Sequence, residues 1–245
     1  MRRFLLPPGA LRGRRVIFEG KDAHYIERVL RLRRGEEIVA FDGEGAEYTA
    51  TIGILSPRRV EAIVTAVSRP PPTRTFRLAL AQSFLKGRDF EAAVRQCAEV
   101  GLSDLYPLAA ARCVGELRSW EKKEERINAI VADACRQSGQ SVLPAVHPPL
   151  SWNNLLALAS EFSLRLLPWE GEKERSLKAA LTATGDAAPP AGILAAVGPE
   201  GGFTSEEVSL ARAAGFLPVR ISPSILRAAT AGPAVLAMIG YHFQA

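Results

Sequence analysis

Three consecutive prolines, Pro70 to Pro72 within SRPPPTRT (68–75), constrain this 245-residue chain more than any other feature. A proline has no backbone N–H to donate and a fixed φ. Neither a helix interior nor a central strand runs through three of them; a stiff, extended connector does. Before the prolines, RRVIFEG (14–20), EEIVAFDG (36–43), AEYTATIGIL (46–55) and RVEAIVTAV (59–67) are rich in β-branched and aromatic residues. Glycine-containing turns separate them, so they read as strands. DAHYIERVLRLRRG (22–35) interrupts them as a helix capped by Asp22, with Tyr25, Ile26, Val29 and Leu30 at helical spacing. On such a helix Arg28, Arg31 and Arg34 share one face. The expectation is a small barrel of strands with one short helix.

After the prolines the pattern changes. Apolar strands at 76–84, 102–109, 162–169, 191–198 and 217–222 alternate with helices near 87–101, 121–138, 205–214 and 225–242. Phe90, Val94 and Cys97 form the apolar stripe of the first helix; Ile127, Ile130, Val131 and Ala134 form that of the second. This alternation predicts a mainly parallel sheet covered on both faces, an α/β domain. GDAAPPAG (185–192) reads as a flexible loop.

Charge is concentrated at one end. Residues 1–34 hold ten Lys and Arg against three acids, a net +7 in a chain whose total is +5. Nine of the ten are arginine, whose planar fork suits phosphate and stacks on bases. The segment, with Arg2, Arg28, Arg31, Arg33 and Arg34, is either a solvated basic face or a surface facing RNA or DNA. Lys86 and Arg88 follow the first strand of the second domain, in either a solvated loop or an RNA contact. Cys97, Cys113 and Cys135 lack metal spacing and read as buried thiols of a reducing cytoplasm. His24 and His147 each stand without a paired acid or cysteine in the sequence, so no metal is expected. No apolar run is long enough to span a membrane. The apolar run of the N-terminal stretch is too short for a signal peptide.

The densest signal is AVGPEGGFTSEEV (196–208), at the end of an expected strand. In an open α/β sheet ligands bind beyond the carboxyl ends of the strands. Gly198, Gly201 and Gly202 bring backbone close to a ligand, or they simply make a tight turn. Thr204 and Glu207 have capping-box spacing. Glu200 is expected near a positive helix N-terminus. No phosphate loop and no early dinucleotide fingerprint occurs. RISPSILRAATAGPAV (220–235) is the second unusual stretch. Arg227 falls in the first turn of a helix, and small residues follow. The stretch either packs tightly or forms a second wall of the same pocket.

Five motifs in order resemble the SPOUT methyltransferases, most closely the bacterial family that methylates N3 of a uridine in small-subunit rRNA. They are HYIERVLRLRRGEEIVAFDGEGAEYTATI, AEVGLSDLYPL with Arg112 after it, ACRQSGQSVLPAV, VGPEGGFTSEEV and SILRAATA. The resemblance spans nearly the whole chain. It implies a PUA-like RNA-binding barrel over 1–69 and a SPOUT domain over 74–245, a parallel sheet with a deep trefoil knot. It implies S-adenosylmethionine held by Leu166, Leu167, Pro168, Val197, Gly198, Glu200, Gly201, Gly202, Ile221, Ser222, Ser224, Ile225 and Leu226. The glycines would clear space for it, and Trp169 could wall its adenine. Arg227 is the catalytic candidate: it stabilises the uracil anion or grips a phosphate. Arg2, Arg28, Arg31, Arg33, Arg34, Lys86, Arg88 and Arg112 would meet 16S rRNA within the small ribosomal subunit. A homodimer is implied, with no membrane and no metal.

The chain departs from the family at four places: Ala229 replaces a glutamate, Gln140 an arginine, Arg136 an acid and Tyr25 a histidine. Ala229 keeps two other readings open, an RNA-binding relative without turnover and an enzyme with another RNA target or a ribose acceptor.

Overall fold

The computed structural model describes residues 2–72, 74–113, 120–185 and 189–243. Residues 186–188 of the expected loop at 185–192 lie outside the described residues. Contacts divide the chain into two compact units, Met1–Thr73 with Cys135–Leu143, and Arg74–Ala134 with Pro144–Ala245.

In the first unit β1 (Arg2–Leu5), β2 (Leu11–Arg12), β3 (Arg15–Glu19), β4 (Glu37–Phe41), β5 (Glu47–Ser56) and β6 (Arg59–Ser68) form one sheet, ordered β1-β4-β5-β6-β3-β2. β1 runs parallel to β4, and the other pairs are antiparallel. Alternate residues bury one face: Val16, Phe18, Ile38, Ala40, Ala50, Ile52, Val60 and Ala62 are core.

The expected helix over 22–35 is shorter than its pattern. α1 (Gly20–His24) passes into a π turn, Tyr25–Val29, and the chain then leaves the helix, with Arg31 at φ 53°. Leu30 and Leu32 both pack against the core. Two residues apart, they cannot share a helix face, so the helix must stop. Arg28, Arg31 and Arg34 therefore do not share a helical face, though all are exposed, as are Arg2 and Arg33. Asp22 lies inside the first turn instead of capping it; the N-cap position is Glu19, with no side-chain cap bond.

The QSGQS segment joins this unit. Gly45 N–H donates to the Ser141 carbonyl at 3.0 Å, and Leu143 N–H to that of Gly43 at 2.9 Å. Arg3 Nη2 donates to Glu47 Oε1 and Ser141 Oγ, each at 2.8 Å. Burial pushes the Glu47 carboxyl up, but bonds from Arg3 and Ser141 outweigh it and hold it below the usual carboxylate range. Two of the departures meet here. The Arg136 guanidinium lies 5.9 Å from the Tyr25 ring centroid. A cation over a ring stands where the family pattern has an acid and a histidine.

The second unit is a parallel sheet of β7 (Arg77–Ser83), β8 (Asp104–Ala109), β9 (Ala145–Val146), β10 (Leu150–Ser151), β11 (Leu164–Pro168), β12 (Gly192–Val197) and β13 (Leu217–Val219). The order is β10-β8-β7-β12-β11-β13, with β9 also on β8. Every residue of β12, and every residue of β7 except Arg77, is buried, as a sheet covered on both faces requires. The helices are α2 (Asp89–Glu99), α3 (Trp120–Ser138), whose residues from Cys135 on count with the first unit, α4 (Trp152–Leu158), α5 (Leu177–Thr182), α6 (Ser205–Ala213) and α7 (Ala228–Phe243). The sequence pattern did not anticipate α4 and α5. Their start signals were present: Ser151 and Ser176 accept from the N–H groups of Asn154 and Ala179. No described helix is long and apolar enough to cross a membrane. Cys97 and Cys135 are buried and Cys113 partly so. Burial pushes the Cys135 thiol up to about 11.

At the amino edge of this sheet lies a polar cluster that the sequence did not suggest. Asp104, 8% exposed, accepts from Arg77 Nε at 2.7 Å and Nη2 at 3.0 Å. His147 Nε2 lies 2.8 Å from Asp104 Oδ1, and its ring stacks on Tyr106 at 4.1 Å. His147, isolated in the sequence, is thus paired with an acid on a neighbouring strand. Arg77 Nη2 also donates to the Tyr106 hydroxyl at 2.7 Å.

Candidate active site

Four adjacent strands, β7, β12, β11 and β13, present their carboxyl ends along one edge of the second unit. The segments leaving them enclose a cavity of about 670 Å³. After β11 come Trp169 and Glu170, and after β12 the glycine turn. After β13 comes the stretch from Arg220 to Arg227, and after β7 come Leu85 and Asp89. Of the residues expected to hold a cofactor, Pro168, Val197, Gly198, Glu200, Gly201, Gly202, Ile221, Ser222, Ser224, Ile225 and Leu226 line this cavity. Leu166 and Leu167 are outside its lining: both are fully buried within β11, and only the strand's end reaches the cavity.

The cavity is graded. Leu85, Pro168, Val197, Gly198 and Phe203 form a buried, largely apolar floor. Asp89, Glu170, Glu200, Arg220 and Arg227 are exposed at its mouth. Arg227 precedes α7 instead of lying in its first turn; its carbonyl accepts the Thr230 and Ala231 N–H groups, each at 2.9 Å. Arg227 lines the cavity together with Ala229.

The glycine turn is clamped from several sides. Gly202 N–H donates to the Pro199 carbonyl at 2.9 Å, and Gly202 sits at φ +65°. Glu200 Oε1 accepts the Lys86 N–H at 2.9 Å, just ahead of α2. Arg112 Nη1 donates to the Gly201 carbonyl at 2.8 Å. Lys86 and Arg112, expected at RNA, thus also hold the turn, Lys86 through its backbone; Arg88 is exposed beside them. Three glycines make room for protein. An added Cβ would press on Arg112 at Gly201, collide with the Glu170 carboxylate at Gly202 and crowd Phe203 at Gly198.

The capping box is present as expected, Thr204 and Glu207 each accepting from the other's backbone. Glu207, 5% exposed, also accepts the Ala111 N–H at 2.7 Å, tying the loop after β8 to α6. Replacing Glu207 by alanine is expected to cost about 2–3 kcal/mol, because it leaves two N–H groups unmatched. Chemical denaturation measures this, and a loss under about 0.5 kcal/mol would contradict it.

Among the described residues no cluster of three or more His, Cys, Asp or Glu is arranged to hold a metal. Trp169 walls the cavity, and an Arg212 guanidinium lies 5.9 Å from its ring centroid. An apolar floor, an aromatic wall and charged groups at the mouth suit a ligand with both apolar or aromatic and polar parts.

A family model described as an RNA methyltransferase domain matches residues 72–240. The chain belongs to the RNA methyltransferase family. A second model, an RNA methyltransferase PUA domain, matches residues 18–65. The two parts of this RNA methyltransferase are therefore the PUA-like unit that the resemblance implies and the parallel α/β domain that its sequence pattern predicts. Ribosomal RNA small subunit methyltransferase E of Synechocystis sp. is 36% identical over 217 residues, 88% of this chain and 69% of its own length. The protein of the same name in Bacillus subtilis is 27% identical over 228 residues, 92% of this chain and 89% of its own. The crystal structure of ribosomal RNA small subunit methyltransferase E from Neisseria gonorrhoeae, bound to S-adenosyl methionine, matches with a TM-score of 0.84 at 29% identity. That match covers 97% of this chain and 96% of the other.

Proposed function

We propose that this RNA methyltransferase transfers a methyl group from S-adenosylmethionine to N3 of a uridine in 16S rRNA of the small ribosomal subunit. The observation that carries the reading is the convergence of the glycine turn, Trp169 and Arg227 on one cavity. The bound relative from N. gonorrhoeae supports the cofactor. When bound, S-adenosylmethionine supplies an electrophilic methyl group. Pro168, Val197, Gly198 and Phe203 would exclude water from it, Trp169 would offer a face to its adenine, and the turns at 198–202 and 221–226 would offer backbone groups. Arg227, at the mouth, stabilises the negative charge that develops as the uracil imide loses its proton. The exposed Arg2, Arg28, Arg31, Arg33 and Arg34 meet RNA phosphates, with Lys86, Arg88 and Arg112 near the cavity.

The reading includes three further parts: a trefoil knot in the strand connections, a homodimer, and work in the cytoplasm. The outer face of α7 supports the dimer, since Met238 is 41% and Tyr241 85% exposed. Apolar groups of that size gain by being covered. A second reading, binding of RNA without turnover, is favoured by one observation: Ala229 lines the cavity where the family pattern has a glutamate.

The test is transfer of a labelled methyl group from S-adenosylmethionine to unmethylated small subunits, with free 16S rRNA in parallel. Label on the RNA is expected. Cofactor binding without label on either substrate points to another target. No binding and no label favours the inactive relative.

A further inference from the structure

Methylation at a uracil N3 requires that an imide proton leave, and the family motifs do not say which group accepts it. This inference rests on the function proposed above. Among the described residues three carboxylates line the cavity, Asp89, Glu170 and Glu200. Glu200 is committed to the Lys86 N–H at 2.9 Å. Glu170 lies against Gly202, close enough that a methyl group there would collide with its carboxylate. It belongs to the wall made by β11 and β12. Asp89 differs from both. Its own N–H donates to the Lys86 carbonyl, but its carboxylate has no hydrogen bond or ion pair among the described residues.

Position also separates it. Asp89 begins α2, whose preceding strand β7 ends at this edge. α2 packs along α7, and Arg227 stands immediately before α7. The start of α2 therefore places an acid, and the start of α7 a guanidinium, on the lining of one cavity. Both are exposed at the mouth, where an acceptor arrives, above the buried floor. A proton acceptor and a cation are the two groups an imide needs on its way to an anion.

We propose that Asp89 is the proton acceptor. Its carboxylate takes the N3 proton, and the electron pair of that N–H bond stays on nitrogen. Nitrogen then bonds to the methyl carbon as the carbon–sulfur bond breaks, and sulfur keeps that pair. Arg227 faces the pyrimidine oxygen on which the charge gathers. Among the described residues, Glu170, Glu200, Arg220 and Arg227 are the other charged groups around the mouth.

The test uses the full chain, S-adenosylmethionine and unmethylated small subunits. Asp89→Asn is expected to lower the single-turnover rate about 10²- to 10⁴-fold, the usual worth of a positioned base. Its rate should then climb about tenfold per pH unit as hydroxide replaces the missing acceptor, a slope that the wild type does not show near neutral pH. Asp89→Glu should recover part of the rate. Cofactor affinity, read from equilibrium binding of labelled S-adenosylmethionine, should stay within about twofold, since the Asp89 carboxylate has no partner to lose among the described residues. Wild type that labels N3, with an Asp89→Asn variant that keeps its rate, overturns this assignment alone. Loss of cofactor binding in both variants overturns it too, by making the role structural. Wild type that labels only a ribose hydroxyl, or no RNA, overturns the functional reading and this assignment with it.

Discussion

Replacing Arg227 by alanine is expected to lower methyl transfer about 10²- to 10³-fold while leaving cofactor affinity nearly unchanged, the usual loss when one donor to a developing anion is removed. The expectation follows from position. Arg227 is exposed at the mouth of the cavity, above a floor of buried apolar residues. In the proposed function a group at the mouth meets the acceptor and the floor meets the cofactor. Arg227→Lys keeps the charge but not the planar fork, so partial recovery is expected. Single-turnover rates and substrate saturation separate the two roles open to this arginine. A fall in rate at saturation marks stabilisation of the anion. A rise in KM at unchanged kcat marks a grip on phosphate. Arg227→Ala with undiminished turnover and unchanged KM would exclude both.

The second large effect is on stability and lies at the opposite edge of the sheet. Asp104→Ala is expected to cost about 2–4 kcal/mol, because it strands Arg77 and His147 beside an apolar core. For a protein of this size that lowers Tm by roughly 5–15 °C. Chemistry at the cavity should survive, since Asp104 starts β8 and the cavity lies beyond strand carboxyl ends. The sign of the pH dependence follows from the carboxyl. Burial pushes Asp104 up, but bonds from Arg77 and His147 outweigh burial and hold it below the ordinary carboxylate range. A depressed carboxyl contributes stability above its unfolded pKa and loses it as pH falls through its folded value. The gap between wild type and Asp104→Asn should therefore be full at neutral pH and shrink below about pH 4. Denaturation midpoints across that range measure it; a gap that widens in acid would contradict the account.

The fold was legible where a single local pattern decided it. The prolines at 70–72 separate strand-rich from alternating sequence, and the apolar runs at 78–81 and 192–197 lie in the buried strands of a parallel sheet. The capping box at 204–207 was readable because both partners lie within one turn. The ends of segments were harder. The arginine-rich run after Val29 has good helix formers, yet Leu30 and Leu32 must both reach the core, and only a non-helical path allows that. Long-range pairs were invisible: Asp104 and His147 are 43 residues apart, Ser141 and Glu47 94 apart. The site was legible as loops, since the glycine turn and the 220–227 stretch could be named. Asp89 could not: the helix after strand 76–84 had to begin at the carboxyl edge, but only the strand order, which puts β7 next to β12, brings its start to the glycine turn.

The most direct measurement of the central claim is nucleoside mass spectrometry of 16S rRNA after reaction with the protein and S-adenosylmethionine. The account predicts one new modified nucleoside, a uridine methylated on the base at N3. Methyl groups found only on a ribose hydroxyl would contradict it, because a hydroxyl carries no imide proton for Arg227 and Asp89 to act upon.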